Sequence, residues 1–184
     1  NTQPKLLETK LPSPPSVIVL GLGDESQLRP QELVATVRQA VLAWAQRAYE
    51  VRASTATNPK TAAAAREPRL CSTLVASGGT GITPGQSAQL IVKGVDEANQ
   101  LLGQINEQLK PDRQWPVLTQ LVFIELFLDR ASEALRAVKG MPEAVRGDWI
   151  VDDIVTPGDG ALRRQCGRER LVVHTRLALR KQLA

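Results

Sequence analysis

Apolar residues fall into two kinds of period in this chain, and the two alternate along it. "SVIVL", residues 16–20, is a β-branched run without a charged position, the form of a buried interior strand in a parallel sheet. From Pro30, the spacing of Leu33, Val37, Val41, Trp44 and Ala48 marks one face of a helix. Pro30 falls in its first turn and Glu32 near its positive N-terminal end. "LCSTLVAS", residues 70–77, predicts a second strand. Beyond it, Leu90, Ile91, Gly94, Val95, Ala98, Leu101, Leu102 and Ile105 recur at helical spacing from a start near Pro84. "PVLTQLVFIELFL", residues 116–128, reads as a third, very apolar strand. Asp129 is placed to cap a helix whose face is Ala131, Leu135 and Val138 and whose stop is Gly140.

The order β-α-β-α-β-α predicts an α/β fold: three layers, a largely parallel sheet with helices on both faces, macro-like or Rossmann-like in its layering. After Pro142 the pattern changes. "DWIVDDIV" and "RLVVHTRLAL" are both strand-like, the second alternating Leu171, Val173, Thr175, Leu177 and Leu179, with the turn "TPGDGA" between them. They fit antiparallel strands at an edge of the sheet. Residues 16–184 thus read as a single α/β domain, with a βαβαβα core over 16–140 and a C-terminal extension over 141–184. Residues 1–15 hold four prolines and no period, so they read as a linker, which implies a piece of a longer polypeptide. Residues 50–68, without an apolar stripe, read as a long loop whose alanine run has the composition for one or two helical turns.

Composition narrows the chemistry. A length of 184 residues suits one domain with a sizeable core, and 3% aromatics mean a core of Ala, Val, Leu and Ile. No run reaches the ~18 apolar residues of a membrane span, and residues 1–15 lack the charged-then-apolar order of a secretory signal. The expectation is a cytoplasmic chain with no membrane partner. Two cysteines, Cys71 and Cys166, and a single histidine, His174, exclude a disulfide framework, a cysteine-rich zinc site and a two-histidine metal site. The net charge of +4 is concentrated in residues 163–184, where seven basic residues face only Glu169. That tail holds no aromatic residue for base stacking, so nucleic acid is not an expected partner.

Two glycine turns carry the candidate chemistry. "GLGDE" supplies Gly21, Gly23 and Asp24, and "GGTGITPG" supplies Gly78, Gly79, Thr80, Gly81 and Thr83. In an open α/β sheet both turns lie outside the carboxyl ends of strands, where backbone N–H groups and helix N-termini can receive a phosphate. Together they form candidate lips for a nucleotide or ADP-ribose-like ligand; alternatively the glycines only permit tight turns. Neither turn is a P-loop or a G-x-G-x-x-G fingerprint. Asp24 and Glu25 would repel a phosphate, and the second turn has no Lys or Arg before Lys93. Glu125, a carboxylate inside "LVFIELFL", either faces a cleft at the strand end or pairs with Arg130 or with backbone. Acid–base work there would need a second group such as Asp129 or Asp24. Ser72 and Ser77 have no neighbouring base in the sequence, and no catalytic residue, metal ligand or resident cofactor is assigned.

"GGTGITP" resembles the nicotinamide-binding turn of ferredoxin reductase-like flavoproteins, and Cys166-Gly167 resembles their late Cys-Gly pair. However, "ALRRQCGRER" is polar where that family has an apolar strand, and no Arg-x-Tyr-Ser flavin motif precedes the turn. A broader resemblance spans residues 16–140. The blocks "SVIVLGLGDESQLRPQELVATVRQAVLAWA", "STLVASGGTGITPGQSAQLIVKGVDEANQLL" and "LVFIELFLDRASEAL" look like an accessory domain of large bacterial multidomain proteins that also carry a caspase-like (CHAT) peptidase region. A weaker likeness is to macro-type domains. The peptidase dyad does not carry over, because His174 follows both cysteines and Cys71 heads an apolar strand. The resemblance implies a non-catalytic accessory or recognition module whose partners are other domains of the same polypeptide. The competing reading is a domain that binds, or hydrolyses, a nucleotide-type ligand across the two glycine turns.

Overall fold

The computed structural model describes residues 16–24, 27–55, 68–79, 81–152 and 177–181. Helix α1 (Pro30–Thr55) begins where the sequence places it, with Glu32 in its first turn and its carboxylate accepting the Arg29 N–H at 2.9 Å. It runs through residues 50–55, which were expected in a loop. The remainder of that expected loop, residues 56–67, lies outside the described residues, as do residues 1–15 and "TPGDGA".

Strand β1 (Arg69–Ser72) precedes helix α2 (Pro84–Glu107), and strand β2 (Gln120–Phe123) precedes helix α3 (Leu128–Lys139). A short helix α4 (Glu143–Arg146) leads into strand β3 (Trp149–Val151), and β4 (Leu177–Lys181) completes the sheet. The strand order is β1-β2-β4-β3. β1 and β2 pair in parallel, with Leu70 opposite Leu121 and Ser72 opposite Phe123. β4 runs antiparallel to both of its neighbours.

Helix α2 is the middle of the packing. Its buried face, which includes Ile91, Val95, Ala98 and Leu102, joins Leu33, Val37 and Val41 of α1 and Ala134 and Val138 of α3 in one apolar cluster. Leu121 and Phe123, two apart on β2 and therefore on one sheet face, belong to the same cluster, as does Trp149. Gly94 lets α1 and α2 approach closely, since a Cβ there would lie 2.8 Å from the Val34 carbonyl oxygen and 2.8 Å from Val37 Cβ. Arg38 and Glu97 bridge the same two helices at 2.9 Å.

These findings overturn the expected three-layer, largely parallel α/β sandwich. Among the described residues, helix outweighs strand, parallel pairing is confined to β1 and β2, and α1, α2 and α3 share one core cluster against one sheet face. Residues 16–20 form no strand: only Ile18, Leu20 and Leu22 turn inward, while Val17 and Val19 are 73% and 88% exposed. The physical reason is length. The apolar runs are long, but only four residues of each of β1 and β2 find ladder partners, and the rest become turns. Of the two expected C-terminal strands, Trp149–Val151 and Leu177–Lys181 pair antiparallel, with β4 inside the sheet between β2 and β3 rather than at its edge, while residues 153–176 lie outside the described residues.

Candidate functional site

The glycine turn between β1 and α2 is built from its flanks. Ala76 takes a positive φ of 63°, an uncommon conformation for a residue with a Cβ, as the chain leaves the sheet. The Ser77 hydroxyl donates to the Leu74 carbonyl and the Ser87 hydroxyl to the Val75 carbonyl, both at 2.5 Å. Arg130 of α3 then reaches back to the turn: Nη2 donates to Ser77 Oγ at 2.6 Å and Nη1 to the Ser77 carbonyl at 3.2 Å. Its Nε donates to Glu125 Oε2 at 3.1 Å, the Glu125–Arg130 contact expected from the sequence.

Glu125 is satisfied on both oxygens, because Oε1 also accepts the backbone N–H groups of Leu126 at 2.7 Å and Phe127 at 3.2 Å. Both N–H groups precede the first helical residue, Leu128, so Glu125 orders the entry to α3 without taking the capping role expected of Asp129. The N-cap residue is Phe127, which makes no side-chain cap bond, and Asp129 sits within the first turn. Gly140 closes the helix as expected, its N–H bonded to the Arg136 carbonyl at 3.0 Å.

The α2 N-terminus decides whether this turn is ready for an anion. Thr83 forms a capping box: its Oγ1 accepts the Gln86 N–H at 3.2 Å, and Gln86 Oε1 accepts the Thr83 N–H at 3.0 Å. Pro84 has no N–H, the Gly85 N–H donates to Glu133 Oε1 at 3.0 Å, and the Ser87 N–H donates to the Thr83 carbonyl at 2.8 Å. The donors at the α2 N-terminus are thus held by the protein's own acceptors, one of them a carboxylate. Gly85 is required by packing, for its Cβ would fall 2.9 Å from Ala137 Cβ.

The remaining predicted residues stand in the open. Gly78, Gly79 and Gly81 are exposed, with free space around Gly78 and Gly81 and Gly81 at φ +76°. Gly21 and Gly23 are likewise exposed, Gly23 at φ +71°, and the exposed Asp24 accepts the Gln27 N–H on its carbonyl at 3.1 Å. Thr80, Glu25, Cys166 and His174 lie outside the described residues. A cavity of about 410 Å³ does open beside β1, but Ile18, Leu20, Leu22, Val37, Leu70 and Ile91 line it, and no glycine does. Cys71, Ser72 and Thr73 add polar atoms to a mostly apolar lining that holds no Lys or Arg for a phosphate.

Sequence reasoning missed a surface at the β2–α3 junction. Ile124, Leu126, Phe127 and Leu128 are 38%, 51%, 44% and 46% exposed, a cluster of large apolar side chains where an interior strand was expected. The run was too long for a strand that pairs over only four residues, and Glu125 in its middle marked the break. Asn99 and Glu133 were also missed as organising residues, as was the reach of Arg130 to Ser77, because each acts on backbone far away in sequence. Among the described residues no helix is long and apolar enough to cross a membrane, and no group of three or more His, Cys, Asp or Glu could hold a metal ion. Comparison with family models, with curated proteins and with solved structures finds no match for the chain.

Proposed function

We propose that this chain is a non-catalytic accessory or recognition domain of a larger bacterial protein, one associated with a caspase-like peptidase region. The observation that carries the recognition reading is the exposed apolar cluster Ile124, Leu126, Phe127 and Leu128 at the mouth of the β2–α3 junction. Large exposed apolar side chains in one short segment cost solvation unless a partner covers them, and such clusters mark interaction surfaces. The segment is held in place from within, by Glu125 bonded to two of its N–H groups and to Arg130. An exposed, largely apolar segment of this kind suits protein contact better than catalysis. The tie to a peptidase region rests on the sequence resemblance alone, and the occupant it names is the peptidase region of the same polypeptide.

The nucleotide reading loses ground because the α2 N-terminal donors are already bonded and the neighbouring cavity is mostly apolar. Two measurements test the assignment. Binding of the chain to the separately purified peptidase region should weaken at least ~10-fold in Phe127→Ser, a loss of about 1.4 kcal/mol, with the melting temperature of the free domain nearly unchanged. In a thermal-shift series with ADP-ribose, NAD, NADPH and nucleotides, no stabilisation is expected. A ligand at about 100 times its Kd would stabilise by ~2.7 kcal/mol, and such a shift, removed by Gly81→Val, would overturn the recognition reading.

A further inference from the structure

The free edge of β1 has a matching strap lying beside it. Ser72 accepts the Ile124 N–H on its carbonyl at 2.8 Å and Pro68 accepts the Gln120 N–H at 3.3 Å, so the even-numbered residues turn their peptide groups toward β2. In a parallel ladder the alternate residues then face the other way, which leaves the N–H and C=O of Arg69 and Cys71 on the outer edge. β1 is the terminal strand of the described sheet, and among the described residues no backbone hydrogen bond joins that edge to residues 16–20. An unpaired, partly apolar edge is one that folded proteins ordinarily cover.

Residues 16–20 already have the right phase to cover it. Ile18 and Leu20 are half-buried and Val17 and Val19 exposed, just as Leu70 and Ser72 of β1 are half-buried and Cys71 exposed, and both segments line the cavity, through Ile18, Val19 and Leu20 and through Leu70, Cys71 and Ser72. Exposure therefore alternates with a period of two on both segments, the pattern of backbone that can pair. α1 and α2 share one core cluster, so a parallel pairing of residues 16–20 beside β1 would give the path through α1 the same hand as the path from β1 through α2 to β2. What is missing is only the ladder, and the open space of about 410 Å³ lies between the strap, α1 and β1.

We propose that residues 16–20 are a strap that closes onto the outer edge of β1 as a short parallel pairing with Val19 beside Cys71. In the closed form the Cys71 N–H meets the Ile18 carbonyl, the Leu20 N–H meets the Cys71 carbonyl, and the apolar cavity collapses around Ile18, Leu20 and Val37. The open form presents the edge and the cavity; the closed form hides both. Edge access and cavity access thus become one event, independent of whatever binds the apolar cluster at residues 124–128.

The exposed thiol of Cys71 supplies the test. In the full chain carrying Cys166→Ser, Val19→Cys should form a disulfide with Cys71 under oxidised glutathione, whereas Ile18→Cys, one position out of phase, should not. Disulfide yield is read by non-reducing electrophoresis and peptide mapping on protein whose circular dichroism matches the parent. Equal yields from the two variants, or none from Val19→Cys, would overturn the proposal. Hydrogen exchange in the unmodified chain gives a second reading: closure predicts that the Cys71 amide exchanges at least ~10-fold more slowly than an open edge amide, and exchange at the open-chain rate would contradict it.

Discussion

Arg130 Nε donates to Glu125 Oε2 at 3.1 Å while the same guanidinium holds Ser77 on the far side of the β1–α2 turn. One cation therefore ties both strand-exit turns to α3. The Glu125 side chain is only 10% exposed, so breaking this pair costs more than breaking a surface pair. Arg130→Met should cost about 2 kcal/mol, below the ~3–5 kcal/mol of a fully buried broken pair because Arg130 itself keeps some solvent. Urea denaturation of Arg130→Met, Glu125→Gln and the double variant gives the coupling between the two residues. A coupling of about 1 kcal/mol is expected, and a value near zero would mean that the pair is incidental.

Two glycines of one helix should respond in opposite directions to the same change. Gly94→Ala drives a methyl to 2.8 Å from the Val34 carbonyl oxygen, and forced overpacking of this kind costs about 1–3 kcal/mol. Gly103→Ala meets nothing within 4 Å and should gain about 0.5–1 kcal/mol from helix propensity. Thermal melts of the two variants decide this directly. If both changes stabilise, α1 and α2 do not pack through Gly94.

The Thr83 capping box predicts a modest and local effect. Thr83→Ala removes the acceptor for the Gln86 N–H and should lower stability by about 1 kcal/mol, with exchange of the first α2 amides rising before that of the core. Thr83→Ser keeps the oxygen and should stay within a few tenths of a kcal/mol of the parent. Equal losses in the two variants would assign the role of Thr83 to its methyl rather than to its hydroxyl.

The helices were legible because their apolar stripes repeat over many turns, and Leu33, Val37 and Val41 or Ile91, Val95 and Leu102 leave little choice of face. The sheet was not, because a short apolar run looks the same whether it pairs on both sides, on one or on none. Residues 16–20 and 124–128 are cases in point: both read as buried strand, yet Val19 and Phe127 face solvent. Layering failed for the same reason, since alternation fixes the order of elements but not which sheet face each helix takes. At the candidate site the glycines were visible in the sequence, but their meaning depended on Glu133, whose carboxylate reaches the Gly85 N–H from another helix. The Glu125–Arg130 contact was readable because the two residues are close in the chain and one of them was a charge in an apolar run.

Asn99 yields the most discriminating measurement. Its side chain is buried in α2 and behaves as a neighbouring strand would: Nδ2 donates to the Leu118 carbonyl at 2.8 Å, and Oδ1 accepts the Leu118 N–H at 3.1 Å. Asn99→Ala leaves both backbone groups without this partner and should cost about 2–4 kcal/mol. Asn99→Asp separates donor from acceptor. Its carboxylate still accepts from the Leu118 N–H but points its other oxygen at the Leu118 carbonyl, and burial also disfavours the charge. Both effects raise the carboxyl pKa in the folded state above its unfolded value. A group so raised contributes its stability below the unfolded pKa, where the protonated acid can donate to the carbonyl, and loses it as pH rises through the folded pKa. Asn99→Asp should therefore lie closer to the parent at pH 4 than at pH 7, while the deficit of Asn99→Ala stays constant. Denaturation midpoints at the two pH values test this, and a pH-independent deficit in Asn99→Asp would show that the amide is not bonded to Leu118.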